Sequence, residues 1–176
     1  FGRAYLRQEQ GETDMAMDDY DLVLEKDPDY IDAYFERGFC YLDLGQYEAA
    51  IADLTIYIDR GGSSYGDAYY GRAVAYNETE QHNEAMDDLQ KLIDNGDQGE
   101  DVWLEIGYTR EEMFQCDEAI EAYNKTLAAN PNHQDALHNR EIVEKLLQKE
   151  KQNQDKQNQD KQDQNKQNQD KQDQDK

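Results

Sequence analysis

The feature that most constrains this chain is a pattern that returns every 34 or 35 residues. In each copy an alanine precedes an apolar residue, and a leucine or tyrosine follows four positions after the alanine. The four alanines are Ala16, Ala50, Ala85 and Ala119. A second small residue keeps the same spacing; its positions are Ala4, Gly38, Ala73 and Gly107. Two markers in register over four copies indicate an internal repeat.

Residues 31–64 show what one copy contains. Ala33, Gly38 and Tyr41 recur at helical spacing in the first half, and Ala50 and Leu54 do so in the second. A turn around Gly45 separates the two amphipathic helices. Neither helix can bury its apolar face alone, so the copies must stack on one another. The pattern therefore predicts an all-α fold.

These copies resemble the tetratricopeptide repeat family over about residues 1 to 149. The family pattern is Trp-x2-Leu-Gly-x2-Tyr, then Ala-x3-Phe, then Pro. The large first position holds Tyr34, Tyr69 and Trp103, and the closing proline is present at Pro28 and Pro131. The leucine position departs from the pattern, because it holds Arg3, Arg37 and Arg72. The resemblance implies a right-handed α-solenoid of helix-turn-helix repeats.

The repeat divides the chain into units, and the first unit is short. Counting back 34 residues from Ile31 places the start of that copy before Phe1, so we expect the native N-terminus to lie upstream. The predicted units are a truncated first repeat at 1–30, complete repeats at 31–65, 66–99 and 100–133, a capping helix at 134–149 and a low-complexity tail at 150–176.

The tail is rich in Gln, Asn, Asp and Lys, and from residue 151 it contains no apolar residue. A segment that buries no apolar surface cannot offset the entropy of ordering. We therefore expect a disordered tail, or at most a continuation of the last helix. The end of the capping helix and this tail also resemble, more weakly, bacterial envelope proteins that combine these repeats with a von Willebrand A domain.

The charge of the chain limits its partners. The net charge is −23, and residues 1 to 149 carry 34 acids against 12 bases. Such a charge disfavours nucleic acid and anionic membrane surfaces and favours basic partners. No apolar run is long enough to span a bilayer. The sequence predicts a basic or amphipathic protein or peptide partner and leaves the oligomeric state open.

No motif predicts catalysis, a metal site or a cofactor. Residues 62–66 fit G-x-S-x-G, but they lie between two predicted helices, whereas the motif needs a strand-to-helix turn. Cys40 and Cys116 occupy different repeat positions and are expected to be packing residues rather than a disulfide. They fit a reducing compartment slightly better, which favours the cytoplasm and leaves the cell envelope open. We expect a non-enzyme.

In tetratricopeptide arrays the first helix of each repeat lines a concave groove that takes a peptide or a helix. The resemblance maps that groove onto an apolar, aromatic floor and a carboxylate rim. The floor residues are Tyr5, Phe35, Phe39, Tyr70, Val74, Leu104 and Tyr108. The rim residues are Asp32, Glu36, Asp43, Asp67, Glu78, Asp101, Glu105 and Glu112, with Glu9 and Asp135 in flanking register.

The sequence leaves alternatives open. The aromatic residues could pack between helices while the acids only confer solubility. The chain could be a regulatory or assembly module of a larger protein whose catalytic or sensor domain lies elsewhere, or it could stack with other chains. One subset of the family grips acidic chaperone tails with a Lys/Asn clamp. The matching positions here are Phe35, Phe39, Tyr70 and Val74, so the clamp is absent.

Overall fold

The computed structural model describes the backbone of residues 1–174 and the side chains of residues 1–159 and 161. Over these residues it has nine helices and no strand, which confirms the predicted all-α fold. Residues 175 and 176, the end of the predicted tail, lie outside the described residues. The helices are α1 (Gly2–Glu9), α2 (Thr13–Lys26), α3 (Ile31–Asp43), α4 (Tyr47–Asp59), α5 (Tyr65–Glu78), α6 (His82–Asp94), α7 (Glu100–Glu112), α8 (Cys116–Ala129) and α9 (Gln134–Gln174).

The helices stack as hairpins in chain order. Each helix packs on the next, and further contacts join α3 to α5, α5 to α7 and α7 to α9. The first helices of successive hairpins therefore face one another along one side, as in a solenoid whose first helices line the inner surface. The helix bounds follow the repeat period, while the exact division of the chain into repeat units stays a prediction.

The repeat markers lie where helices cross. Ala16, Ala50, Ala85 and Ala119 are all fully buried. The second marker is small for a steric reason: a Cβ added at Gly107 would lie 2.4 Å from Cε1 of Tyr123. At Gly38 an added Cβ would lie 2.9 Å from Cγ of Leu54. A larger residue at these positions would push the two helices of a hairpin apart.

The hydrophobic core runs along the stack as four clusters, one after another. The first two contain Tyr20 and Leu54, and the last two contain Leu89 and Tyr123; all four side chains are fully buried. Cys40 packs in the first cluster, and burial raises the pKa of its thiol to about 12. This is the packing role predicted for that cysteine.

Of the two expectations for the C-terminal tail, disorder and a continuation of the last helix, the structure shows the second. Helix α9 continues to Gln174, so the predicted capping helix and tail form one helix. No Gly or Pro follows Pro131, and extending an existing helix is far easier than nucleating one. The side chains of residues 151–159 are exposed, so this part of α9 packs against nothing. No helix within the described residues is both long and apolar enough to cross a bilayer.

Candidate functional site

The concave side of the stack is built from the first helices α1, α3, α5 and α7. Because the repeats are 34 or 35 residues long, side chains at equivalent positions of these helices face the same side of the stack. Tyr5 is 43 % exposed, while Phe35, Phe39 and Tyr70 are half-buried. The repeat period therefore brings aromatic side chains from three successive hairpins to one surface.

A cavity of about 360 Å³ lies between α1, α3 and α5. It brings together seven of the fifteen predicted groove residues. These are Tyr5, Phe35, Glu36, Phe39, Asp43, Asp67 and Tyr70. Glu9 and Gln8 complete the lining. The cavity therefore has aromatic walls and four carboxylates.

The other predicted groove residues do not line this cavity. Leu104 is half-buried and packs against the last core cluster. Val74, Tyr108 and Glu105 are half-buried on α5 and α7. The remaining acids are exposed along the concave helices; they are Asp32, Glu78, Asp101 and Glu112. One continuous groove over all fifteen residues stays a prediction.

The aromatic walls are fixed by packing. The ring centroid of Phe35 lies 4.9 Å from that of Phe39 and 4.7 Å from that of Tyr57. A Cβ added at Gly71 of α5 would lie 3.1 Å from Cζ of Phe39, so Gly71 leaves room for that ring. Phe35 and Phe39 thus serve the core as well as the cavity. One part of each ring packs against neighbouring helices, and another part lines the cavity.

Glu36 is half-buried, whereas the other three carboxylates of the cavity are exposed. Burial raises its pKa, the nearby Asp32 and Glu9 raise it further, and a hydrogen bond with Gln8 opposes the shift. Burial also raises the pKa of Tyr70 to about 12, with Glu105 and Asp101 adding to the effect. The ionised form of Glu36 is therefore less favourable here than in water, and an approaching positive charge would stabilise it.

Gln8 and Asn77 are residues that sequence reasoning missed. Asn77 donates from Nδ2 to Oε1 of Glu105 at 2.6 Å and to Oγ1 of Thr109 at 2.8 Å. Gln8 occupies the same repeat position as Asn77, and its partner Glu36 the same position as Glu105. In both pairs the amide residue lies 28 positions before the glutamate, and the two pairs occupy equivalent repeat positions. This recurrence was the sequence signal that could have identified them.

No group of three or more His, Cys, Asp or Glu residues with metal-binding geometry occurs in the part of the chain that the structure describes. The lining of the cavity combines four carboxylates with four aromatic side chains. An arrangement of aromatic walls with carboxylates suits an organic cation or an apolar segment with basic residues instead.

The fold and the cavity define a class, the helical-repeat proteins with a concave surface formed by their first helices. Models of the tetratricopeptide repeat match residues 20–52, residues 40–100, and residues 1–30 and 101–133. The chain belongs to the tetratricopeptide repeat family. Comparison with curated protein sequences finds no match.

Solved structures share the fold. The crystal structure of MamA is 26% identical over 80% of this chain and 81% of that chain, with a TM-score of 0.72. YrrB, described as a tetratricopeptide protein with an unusual peptide-binding site, is 23% identical over 82% of this chain and 74% of that chain, with a TM-score of 0.72.

A third structure is the second tetratricopeptide domain of human RPAP3 in complex with an HSP70 peptide. It is 22% identical over 63% of this chain and 92% of that chain, with a TM-score of 0.58. These likenesses confirm the predicted solenoid. The weaker resemblance of the C-terminal end to von Willebrand A envelope proteins receives no support from the comparisons and stays a prediction.

Proposed function

We propose that this protein is a non-catalytic scaffold that binds a peptide or a helix of a partner protein on its concave surface. The observation that carries the proposal is the cavity between α1, α3 and α5, with its aromatic walls and its carboxylates. Aromatic side chains concentrate binding energy, and charges at the rim set specificity and association rate. The matching partner segment carries apolar anchors with Lys or Arg between them.

Structural relatives support the class of ligand. YrrB has an unusual peptide-binding site, and the RPAP3 domain was solved in complex with an HSP70 peptide. The electrostatics of this chain argue against an acidic peptide. Glu9, Glu36, Asp43 and Asp67 line the cavity, and the whole chain carries a net charge of −23. Like charges at an interface cost binding energy, so the partner segment is basic.

The test is a selection from a phage-displayed library of random peptides with the full chain as bait. We expect the selected peptides to combine Arg or Lys with apolar residues. Their binding should weaken as salt rises, because exposed charges are screened. The variant Phe39→Ala/Tyr70→Ala should lose these peptides while its circular dichroism stays that of a folded helical protein.

The matched control changes two exposed apolar residues on the outer helix α2. Met15 is 52 % and Leu22 is 41 % exposed. Met15→Ala/Leu22→Ala should bind the selected peptides as the wild type does. Selection of acidic peptides would contradict the basic partner segment. Equal binding by the Phe39→Ala/Tyr70→Ala variant would show that the concave cavity is not the binding site.

A further inference from the structure

The cavity between α1, α3 and α5 differs from the other surface concavities in its charges. Four of its lining side chains are aromatic, Tyr5, Phe35, Phe39 and Tyr70, and no Lys or Arg among the described residues lines it. By contrast, the concavity between α6, α7 and α8 contains a lysine and an arginine, and the one along α9 contains two lysines. The concavity that Tyr65 and Tyr69 line also lacks Lys and Arg, but it has a single carboxylate, Asp97. The cavity between α1, α3 and α5 has four, so it carries more uncompensated negative charge on its aromatic walls.

Within the part of the chain whose side chains the structure describes, the carboxylates of this cavity have no basic partner. Among residues 1–159 and 161, the ion pairs within 4.0 Å involve none of Glu9, Glu36, Asp43 and Asp67. Glu36 is half-buried beside Glu9 and Asp32, and the amide of Gln8 is the group that opposes their effect on its pKa. An approaching cation would stabilise the ionised carboxylate of Glu36.

The chain itself shows how it holds a guanidinium group. Cζ of Arg37 lies 5.6 Å from the ring centroids of both Tyr34 and Tyr41, and its Nε donates to Asp53 at 2.6 Å. Arg72 repeats this arrangement one hairpin later, with Tyr69, Tyr76 and Asp88. Aromatic rings beside a carboxylate are thus the environment in which this protein places a buried arginine.

We propose that the cavity is a receptor for the guanidinium group of an arginine side chain, held against the walls of Tyr5 and Tyr70 with Glu36 as its counter-ion. The inference rests on the proposed function, because the arginine belongs to the bound segment of the partner. In the partner segment, the residue that enters this cavity is therefore an arginine and not one of the apolar residues. A volume of about 360 Å³ suits a long side chain.

The test is an NMR titration of the full chain, observed at the ring resonances of Tyr5, Phe35 and Tyr70. The probe is N-acetyl-arginine methylamide, and its neutral isostere is N-acetyl-citrulline methylamide. We expect saturable shifts with the arginine probe and binding weaker by about fivefold or more with citrulline, since only the former is a cation. Glu36→Gln should remove this preference without loss of helical content.

The matched control is Glu111→Gln, which changes another half-buried glutamate, on α7 and outside both the cavity and the predicted rim. It should bind the arginine probe as the wild type does. Equal shifts with both probes, no saturable shift with either, or an unchanged preference in Glu36→Gln would each overturn the inference.

The outcomes separate this inference from the proposed function. If library peptides bind at α3 and α5 while the arginine probe does not, the cation receptor is wrong and the scaffold role stands. If the arginine probe binds in the cavity while no peptide is selected, the cavity binds a guanidinium group, but the scaffold role is wrong and the arginine does not come from a partner segment.

Discussion

Three arginines replace the leucine of the family pattern, and each has a compensating aspartate. Arg3, Arg37 and Arg72 each pair with an aspartate 16 residues later on the second helix of the same hairpin. In the fourth hairpin both partners change together, to Ile106 and Ala122, and both are buried in the core. Helical periodicity cannot reveal such pairs, because their members lie on different helices. Only the hairpin's crossing geometry brings them together.

The second and third of these pairs are largely buried. The side chains of Arg72 and Asp88 are 10% and 2% exposed, and Arg72 also donates to Oγ1 of Thr55 at 2.9 Å. Arg37 likewise reaches a neighbouring hairpin, through the carboxylate of Asp21. Arg37 and Arg72 therefore each join their own hairpin to the preceding one. They do so from the position at which the family pattern has an apolar leucine.

This arrangement predicts strong non-additivity at Arg72 and Asp88. Asp88→Ala alone leaves a buried guanidinium without its carboxylate and should lower the free energy of unfolding by about 3–5 kcal/mol. Arg72→Ile/Asp88→Ala copies the fourth hairpin and should return to within about 1 kcal/mol of the wild type. Urea unfolding followed by circular dichroism measures both. A double variant as unstable as Asp88→Ala would show that an Ile–Ala pair cannot replace the Arg–Asp pair at these positions.

A surface pair provides the control for that series. Arg60 and Asp29 are joined at 3.2 Å, with side chains 40% and 94% exposed. Arg60→Ala also removes the hydrogen bond to the carbonyl oxygen of Pro28. Because solvent screens both groups, its effect should stay below about 1 kcal/mol.

At the scale of the element, the turns between the two helices of a hairpin share one backbone conformation. The second residue after each first helix has a positive φ: 75° at Gly11 and 68° at Gly45, but also 60° at Glu80 and 58° at Phe114. Glycine adopts this left-handed conformation without a steric penalty, whereas other residues do not. The third and fourth hairpins therefore keep a strained turn.

Phe114 allows this strain to be measured, because its side chain is 89 % exposed and contributes no burial. Phe114→Gly should raise the free energy of unfolding by about 0.5–1 kcal/mol, the left-handed penalty less the extra entropy of glycine in the unfolded chain. Phe114→Ala removes the same ring but keeps a Cβ, so it should bring no such gain. If the glycine variant is no more stable than the alanine variant in urea, the turn is not strained.

At the scale of the whole molecule, α9 has two parts with different roles. Its first part packs on α8 and α7 through the fully buried Ala136 and Val143, and Arg140 donates to Oδ1 of Asn124 at 2.8 Å. Glu141 occupies the repeat position that Gly38 and Gly107 hold in complete hairpins. A glutamate there leaves no room for a second helix to cross closely, as expected of a cap.

Truncation should separate these two parts. Removing residues 150–176 should leave the thermal midpoint unchanged to within about 2 °C, because residues 151–159 are exposed, while the helical signal falls. Ending the chain after Asn139 removes Val143 and should lower the midpoint by several degrees. Scanning calorimetry and far-ultraviolet circular dichroism measure the two effects. A large drop in the midpoint for the first truncation would show that the tail packs on the repeats.

The sequence predicted the stack because its markers are steric requirements of helix crossing, repeated at a fixed period. Ala50 and Ala85 are buried where that period placed them. The tail was harder to predict, since it has no apolar residue and its helix depends on continuation from Val143 and its neighbours. The concave cavity was predicted in part. Register aligned Phe35 with Tyr70, but the pairing of Gln8 with Glu36 was missed because its members lie on different helices, although Asn77 and Glu105 repeat it in register.

The central claim is that the concave side of the stack is the binding surface. Hydrogen exchange of the full chain, with and without a peptide selected from the library, tests it most directly. We predict slower amide exchange in α1, α3 and α5 when the peptide is bound, and unchanged exchange in α2, α4 and α6. Slower exchange confined to those second helices would contradict the claim and place the binding surface on the outer side.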